Sequence, residues 1–412
     1  MKFFFDKYLL CLLCLFGTAT FLSMAGGNVL LGLSTLLFLI VLFKNRGDDI
    51  LWDEGGYFKV IGAFACALFV SALCSENIGY GMKTWFGFFL WHFMPFLIIL
   101  FLCATKDKVD KFLSAIFCGY FISCLYAIYQ GVFIYKLNIA HGRAASFVGH
   151  PMTLAGWSCI LLPMLLIFIF RKDISKKLHL AYCALFVIGC VALVFNSTRG
   201  AWLALAIALP LISLPFILKS KKLFLGFVSA VVILGLVLAN SPSFMKRVDS
   251  ISDTKHNWSN VSRFIIWDTA YGIFKEHPVL GIGLGSFSRE YKNTVVDRTL
   301  KRNVPLKDWQ KKHLQNLSHA HNNYLHMLAE NGLVGFLGYI FAFGFILWKN
   351  IKNYLLNKNP YALMIVGSTT ALLLQGMTEY NFGNSSVMKI YWFVLACLIV
   401  MARFYNKEDA EK

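Results

Sequence analysis

Long apolar runs alternate with short charged or Gly-rich breaks along almost the whole chain. They lie near 8–24, 27–43, 58–75, 84–103, 112–134, 152–170, 179–196, 201–218, 223–239, 324–348, 361–377 and 387–404. Each is close to the ~20 apolar residues that cross a ~30 Å hydrocarbon layer as a helix, so the pattern predicts twelve membrane-spanning helices. The alternation is interrupted once, at 240–323, a polar stretch too long to be a tight connection. The expected layout is therefore spans 1–9 over 1–239, a helical loop domain over 240–323, and spans 10–12 with a short tail over 324–412. The fold class is an all-α polytopic integral membrane protein.

Composition agrees and sharpens the topology. Of 412 residues 58% are hydrophobic and 15% charged, and 39 are Phe, well above the apolar share of roughly 45–50% in soluble domains. A formal charge of +18 would suggest nucleic acid in a soluble protein; in a membrane protein the placement of the cations matters more, and no nucleic-acid partner is expected. Counted by connection, 21 of the 39 Lys/Arg fall in the alternate segments starting with Lys2 and Lys7, only five in the intervening short loops, and 13 in 240–323. The positive-inside rule then puts both termini in the cytoplasm and 240–323 outside. Lys2 and Lys7 before an apolar run could be read as a signal peptide, but without a convincing small-x-small cleavage site the run is taken as the first helix. All eleven Cys lie in apolar runs, so 240–323 has neither disulfides nor a thiolate metal site.

Within 240–323, Ser262 to Phe274 places apolar residues at helical spacing until His277-Pro278 ends the run. This predicts an amphipathic helix near the membrane. Gly281-x-Gly283-x-Gly285 follows; it lacks both the strand–helix context and the spacing of a dinucleotide fingerprint, and no Walker Lys follows. It reads as a turn.

Four basic or titratable residues stand at the expected outer mouth, where cations are disfavoured: Arg143, Arg199, Arg263 and His321. Arg199 is the sharpest, because Asn196-Ser197-Thr198-Arg199-Gly200 is a tight break between two spans and leaves a guanidinium at the membrane surface. A charge there is costly and points to function; the rival is snorkelling to lipid phosphates. For Arg263 the rival is a surface ion pair with Asp268, and for Arg143 a solvated loop charge. Arginines converging from several loops would suit a pyrophosphate, since each guanidinium is a planar fork matching phosphate oxygens. His321, in Ser318-His319-Ala320-His321-Asn322-Asn323, could take a proton from a hydroxyl. Its rivals are a histidine capping the span and a metal site through His319 and His321, which is weak without a matching carboxylate or Cys set. Glu330 and Glu379 are too few and too far apart to argue a two-carboxylate hydrolase; either could orient His321 or bind a sugar.

These residues resemble the O-antigen ligase and polymerase superfamily of polytopic glycosyltransferases. The ligases' tenth-span motif is a His followed by Asn, Ser or Gln, nine residues, Gly, two residues and a small residue; it is matched by His321-Asn322, Gly332 and Gly335. The family's arginine at the junction of two central spans is matched by Thr198-Arg199-Gly200-Ala201, and the one opening the outer helix by Arg263 followed by Trp267. Pro278-x-x-Gly281-x-Gly283-x-Gly285-x-Phe287 is similar to the turn that follows. Arg143 with Phe147, His150 and Pro151 is similar to a weaker upstream motif, although Met152 stands where the family more often has Asn.

The resemblance implies an inverting, metal-independent transfer without cofactor at the periplasmic face of the bacterial inner membrane, from an undecaprenyl-pyrophosphate-linked glycan donor. For the ligases the acceptor is a sugar hydroxyl of the lipid A-core. On this reading His321 is the catalytic base, Arg199, Arg263 and Arg143 hold the pyrophosphate, and Asn322, His319 and Glu330 support them. The His motif and the chain length favour a ligase over the alternative, a polymerase that joins carrier-linked repeat units. A solute transporter is a weaker alternative, because two-halved transporters carry their long linker inside between spans six and seven.

Overall fold

The computed structural model describes residues 2–44, 55–101, 105–140, 142–219, 225, 239–301 and 306–410, and among them every regular element is a helix. Helices α1 (Lys2–Leu22), α2 (Met24–Lys44) and α3 (Gly55–Leu73) precede a broken span of α4 (Ile78–Phe86), a π-turn (Gly87–His92) and α5 (Met94–Phe101). Next come α6 (Lys106–Tyr129) with a second π-turn (Gln130–Ile134), α7 (Pro151–Phe170), α8 (Lys176–Asn196) and α9 (Arg199–Ile217). The polar segment forms α10 (Pro242–Ser252), α11 (Trp258–Glu276), α12 (Phe287–Lys301) and α13 (Asp308–Gln315); α14 (Asn323–Asn357), α15 (Pro360–Gln375) and α16 (Ser385–Ala410) follow.

Among the described residues nine helices are long and apolar enough to cross a membrane, and the apolar helix Pro360–Gln375 is shorter. The chain is thus a polytopic helical membrane protein, with nine full-length candidate spans among the described residues where the sequence predicts twelve over the whole chain. The predicted run at 223–239 lies, apart from Leu225 and Ala239, outside the described residues. The shortness of α15 has a local cause: Asn359 accepts from the Tyr361 and Ala362 amides at 3.0 and 3.2 Å ahead of Pro360 at the first position, and Gly376 closes the helix. Spans Pro151–Phe170 and Ser385–Lys407 are 89% and 94% buried, whereas Met24–Phe43 and Lys176–Asn196 are only 28% and 22% buried. The former make the centre of the bundle, and the latter, apolar all round, face lipid.

The polar segment has its own small core. Ile266, Ala270 and Ile273 of α11, Phe287, Tyr291 and Val295 of α12, and Leu314 of α13 pack with Ala320 and Ala329. The predicted amphipathic helix exists but begins earlier, at Trp258, where Asn257 accepts from the Ser259 amide at 3.1 Å. Its apolar face packs on α12 and α14, so the membrane is not what that face buries against.

Candidate functional site

The loop between α6 and α7 is fixed by polar contacts that leave Arg143 facing inward. Gln130 Oε1 accepts from the Ala145 and Ser146 amides at 3.0 and 2.8 Å, and Asn196 Nδ2 donates to the carbonyls of Ala144 and Pro151 at 2.7 and 2.8 Å. Ser197, at φ 57°, turns the chain from α8 into α9 and sets Arg199 as the first residue of α9. Arg199 is only 7% exposed. Its Nη1 donates to the Ser250 carbonyl and, at 3.1 Å, to Ser250 Oγ, while Nη2 donates to Asn260 Oδ1 at 2.8 Å. One guanidinium therefore pins α10 and α11 to the bundle.

Arg143, Arg199, Arg247 and Arg263 line one cavity together with Glu379. Arg143 Nη2 donates to Thr198 Oγ1 at 3.1 Å, but its buried Nε has no partner among the described residues. Arg247 gives Nε and Nη2 to the Ser197 carbonyl at 3.1 and 2.8 Å. Arg263 makes no hydrogen bond or ion pair among the described residues, and its charge is opposed only by Glu379. An adjoining cavity of about 150 Å³ shares Arg199 and Arg263 and adds the apolar wall of Leu203, Ile251, Phe264 and Trp267. Burial and then the Arg263 charge lower Arg143, burial lowers Arg263, and burial with the charges of Arg199, Arg143 and Arg263 pushes Arg247 down to about 10. All remain charged near neutrality and would gain from an anion between them. His150 is lowered by burial.

Opposite the arginines, Glu379 is 5% exposed in the turn between α15 and α16. His321 Nδ1 donates to Glu379 Oε1 and Oε2, both at 3.2 Å, and His319 Nε2 donates to Oε1 at 3.3 Å. Burial alone would raise the Glu379 carboxyl, but these two hydrogen bonds and the histidine charges outweigh it and hold the group well below the usual carboxylate range. An anionic acceptor on Nδ1 fixes the tautomer that leaves Nε2 of His321 with its lone pair. His321 itself adopts φ 46°, a left-handed conformation uncommon outside glycine and worth attention at a site. Trp267 Nε1 donates to the Ala320 carbonyl at 3.1 Å and so steadies the loop between the two histidines. The ligand atoms of His319, His321 and Glu379 all lie within 4.8 Å of one another, so these three could also hold a metal ion.

The glycine motif is a docking device. Helix α14 is interrupted at Gly332 (φ 59°, ψ −162°), and the freed backbone is paired by the turn after α11: Leu333 and Val334 amides donate to the Pro278 and Val279 carbonyls at 2.9 and 3.1 Å, and the Gly283 amide to Glu330 at 2.9 Å. A Cβ on Gly332 would run into the Val279 carbonyl, and one on Gly281 into the Glu330 backbone. Asn322 caps α14, accepting from Tyr324 and Leu325 amides at 2.9 and 3.0 Å and donating to the Met377 carbonyl at 2.8 Å. It holds the His loop against the Glu379 turn.

The structure therefore brings Arg143, Arg199 and Arg263 to one cavity, with His319 and His321 joined to it through Glu379. Glu330 does not join them; it accepts from the Phe287 amide at 3.1 Å and pairs with His326 at 3.3 Å, one turn away on α14. Arg247 is the residue that sequence reasoning missed. Its only signal is being one of 13 cations in 240–323.

Residues 184–340 match the family model described as O-antigen ligase. The chain is also 26% identical over 253 residues to an uncharacterized protein of Haemophilus influenzae, covering 56% of this chain and 59% of that relative's length. The matched segment contains Arg199, Arg247, Arg263, His321 and the Gly281–Gly332 docking pair, and over it the chain is similar to the O-antigen ligase family.

Proposed function

We propose that the protein is an O-antigen ligase, transferring a glycan from undecaprenyl pyrophosphate to a sugar hydroxyl of the lipid A-core at the periplasmic face of the inner membrane. The observation that carries this reading is the arginine cavity with a histidine–carboxylate pair on its edge. The pyrophosphate lies among Arg263, Arg143, Arg247 and Arg199, and the polyprenyl chain leaves along Leu203 and Phe264. His321 Nε2 removes the acceptor hydroxyl proton as that oxygen bonds the anomeric carbon from the face opposite the leaving group. The bond from that carbon to the pyrophosphate oxygen breaks, its electron pair departs with the lipid pyrophosphate, and the anomeric configuration inverts. Glu379 keeps His321 in the proton-accepting tautomer and offsets the imidazolium that forms. The guanidinium groups stabilise charge on the leaving oxygen, the term that usually dominates such steps. No nucleotide or metal takes part.

The test is the lipopolysaccharide ladder on a gel from a ligase-null strain carrying the gene as wild type, His321→Ala or Arg263→Gln, with membrane levels checked by blot. A ladder restored by wild type and lost in both variants is the expected result. Core without ladder, together with rescue of a polymerase-null strain, would replace the ligase reading by polymerisation of carrier-linked units.

A further inference from the structure

A second cavity lies at the other end of the bundle. Beyond its break at Gly332, helix α14 runs on over residues 333–357, about 37 Å at 1.5 Å per residue, against a hydrocarbon core of about 30 Å. Starting at the glycine turn on the histidine side, it therefore carries its last turn out to the level of the opposite headgroups. There the end of α14, the start of α3 and the end of α16 enclose about 470 Å³. Lys349, Lys352, Arg403 and Lys407 line this space, with no acid among the described lining residues.

The walls are built rather than incidental. Asn350 Nδ2 donates to the Tyr57 hydroxyl at 2.8 Å, Asn406 Nδ2 to Asn353 Oδ1 at 3.1 Å, and Asn359 Nδ2 to Asn406 Oδ1 at 2.6 Å. This amide network fixes the three helix ends relative to one another. Lys349 Nζ stands 4.1 Å over the Tyr57 ring and Lys352 Nζ 5.6 Å over Trp348, so aromatic faces carry the lysine stems and direct the charged heads. Beside the opening, Trp348, Leu355 and Leu356 are 58%, 60% and 69% exposed. A cationic cradle flanked by bare apolar side chains at headgroup level fits an amphiphile better than a free ion.

We propose that this cavity binds the phosphate headgroup of an anionic phospholipid, whose acyl chains run along Trp348, Leu355 and Leu356. Basic pockets between spans at a membrane surface take anionic headgroups in this way. The site is independent of the reaction at the other end, and stands or falls separately from it.

The full chain, purified in detergent, would be examined by native mass spectrometry with phosphatidylglycerol, with phosphatidylethanolamine of the same acyl chains, and with phosphatidylglycerol plus millimolar inorganic phosphate. The expected result is selective retention of phosphatidylglycerol, unaffected by phosphate. Lys352→Gln with Lys407→Gln should weaken retention about thirtyfold, given roughly a kcal/mol for each cation near a lipid surface, while Lys352→Arg with Lys407→Arg preserves it. The single Lys407→Gln variant, at an exposed helix end, serves if the double variant is not monodisperse, and should weaken retention about fivefold. Equal retention of phosphatidylethanolamine, or undiminished retention in the Gln variants, would overturn the site. Displacement of the lipid by inorganic phosphate would overturn the lipid as its ligand and leave a soluble anion.

Discussion

His321 Nδ1 lies 3.2 Å from both carboxylate oxygens of Glu379, a contact that bridges 58 residues of chain. Positioned general bases contribute about 10²–10⁴-fold to rate, so His321→Ala should lower transfer by that order. Glu379→Gln keeps the volume but removes the anionic acceptor, and should lower kcat by about 10²-fold or more with little change in KM. Steady-state transfer to purified core acceptor measures both. Full activity in Glu379→Gln would remove the pair from the mechanism.

Arg199 and Arg263 should separate by phenotype although both line the arginine cavity. Arg199 is engaged by Ser250 and Asn260, and Arg263 has no such partners among the described residues. Arg263→Gln should cost about 10²–10³-fold in transfer, by analogy with losing one transition-state donor, and leave the thermal midpoint unchanged or higher because a repelling buried charge is gone. Arg199→Ala should lower activity and stability together. Thermal unfolding of the two variants in one detergent decides; an Arg263 variant that melts well below wild type would assign that residue to scaffolding.

The lowered carboxyl of Glu379 has a defined pH signature. Its unfolded value is about 4.3, so the stabilisation from ionisation is fully present above that value and disappears as pH falls through the lower native one. The advantage of wild type over Glu379→Gln in thermal midpoint should be present at about pH 5 and shrink in stronger acid, as the carboxylate takes up its proton. Loss of the advantage around pH 6 would trace it to another titrating group.

Much of this site was legible because its chemistry is rare where it stands. Arg199 stood out through a five-residue break between two apolar runs, and His321-Asn322 with Gly332 and Gly335 through the resemblance of their spacing to the ligases' tenth-span motif. Arg247 was not legible, since it sits among 13 cations in 240–323 and its contact with the Ser197 carbonyl spans 50 residues. Glu330 and Glu379 looked equivalent as partners for His321. Helical geometry had already committed Glu330 to His326 four residues earlier, whereas the approach of Glu379 depends on how the α15–α16 turn meets the start of α14, which no local pattern encodes.

Gly332→Ala should be among the most damaging single-methyl changes in the chain. At φ 59° and ψ −162° the position is essentially restricted to glycine, at a cost of about 1–3 kcal/mol for other residues. The added Cβ also meets the Val279 carbonyl that pairs with Val334. Reduced membrane levels of folded protein, read by fluorescence-detected gel filtration, are expected. Normal levels with normal transfer would show that the docked turn is dispensable.

Chelation separates the two roles open to His319, His321 and Glu379. Dialysis against EDTA should leave transfer unchanged. Inactivation reversed by a divalent ion would instead make the three residues a metal centre.

The crowding of Arg143, Arg199, Arg247 and Arg263 around one carboxylate also bears on turnover. In the proposed reaction, cleavage adds a negative charge to the lipid pyrophosphate, so the site that eases bond breaking would grip its spent carrier more firmly than the loaded one. Escape of that carrier into the bilayer would then weigh on turnover, and the pace of the proposed transfer would depend on how quickly the used lipid is cleared from the surrounding membrane.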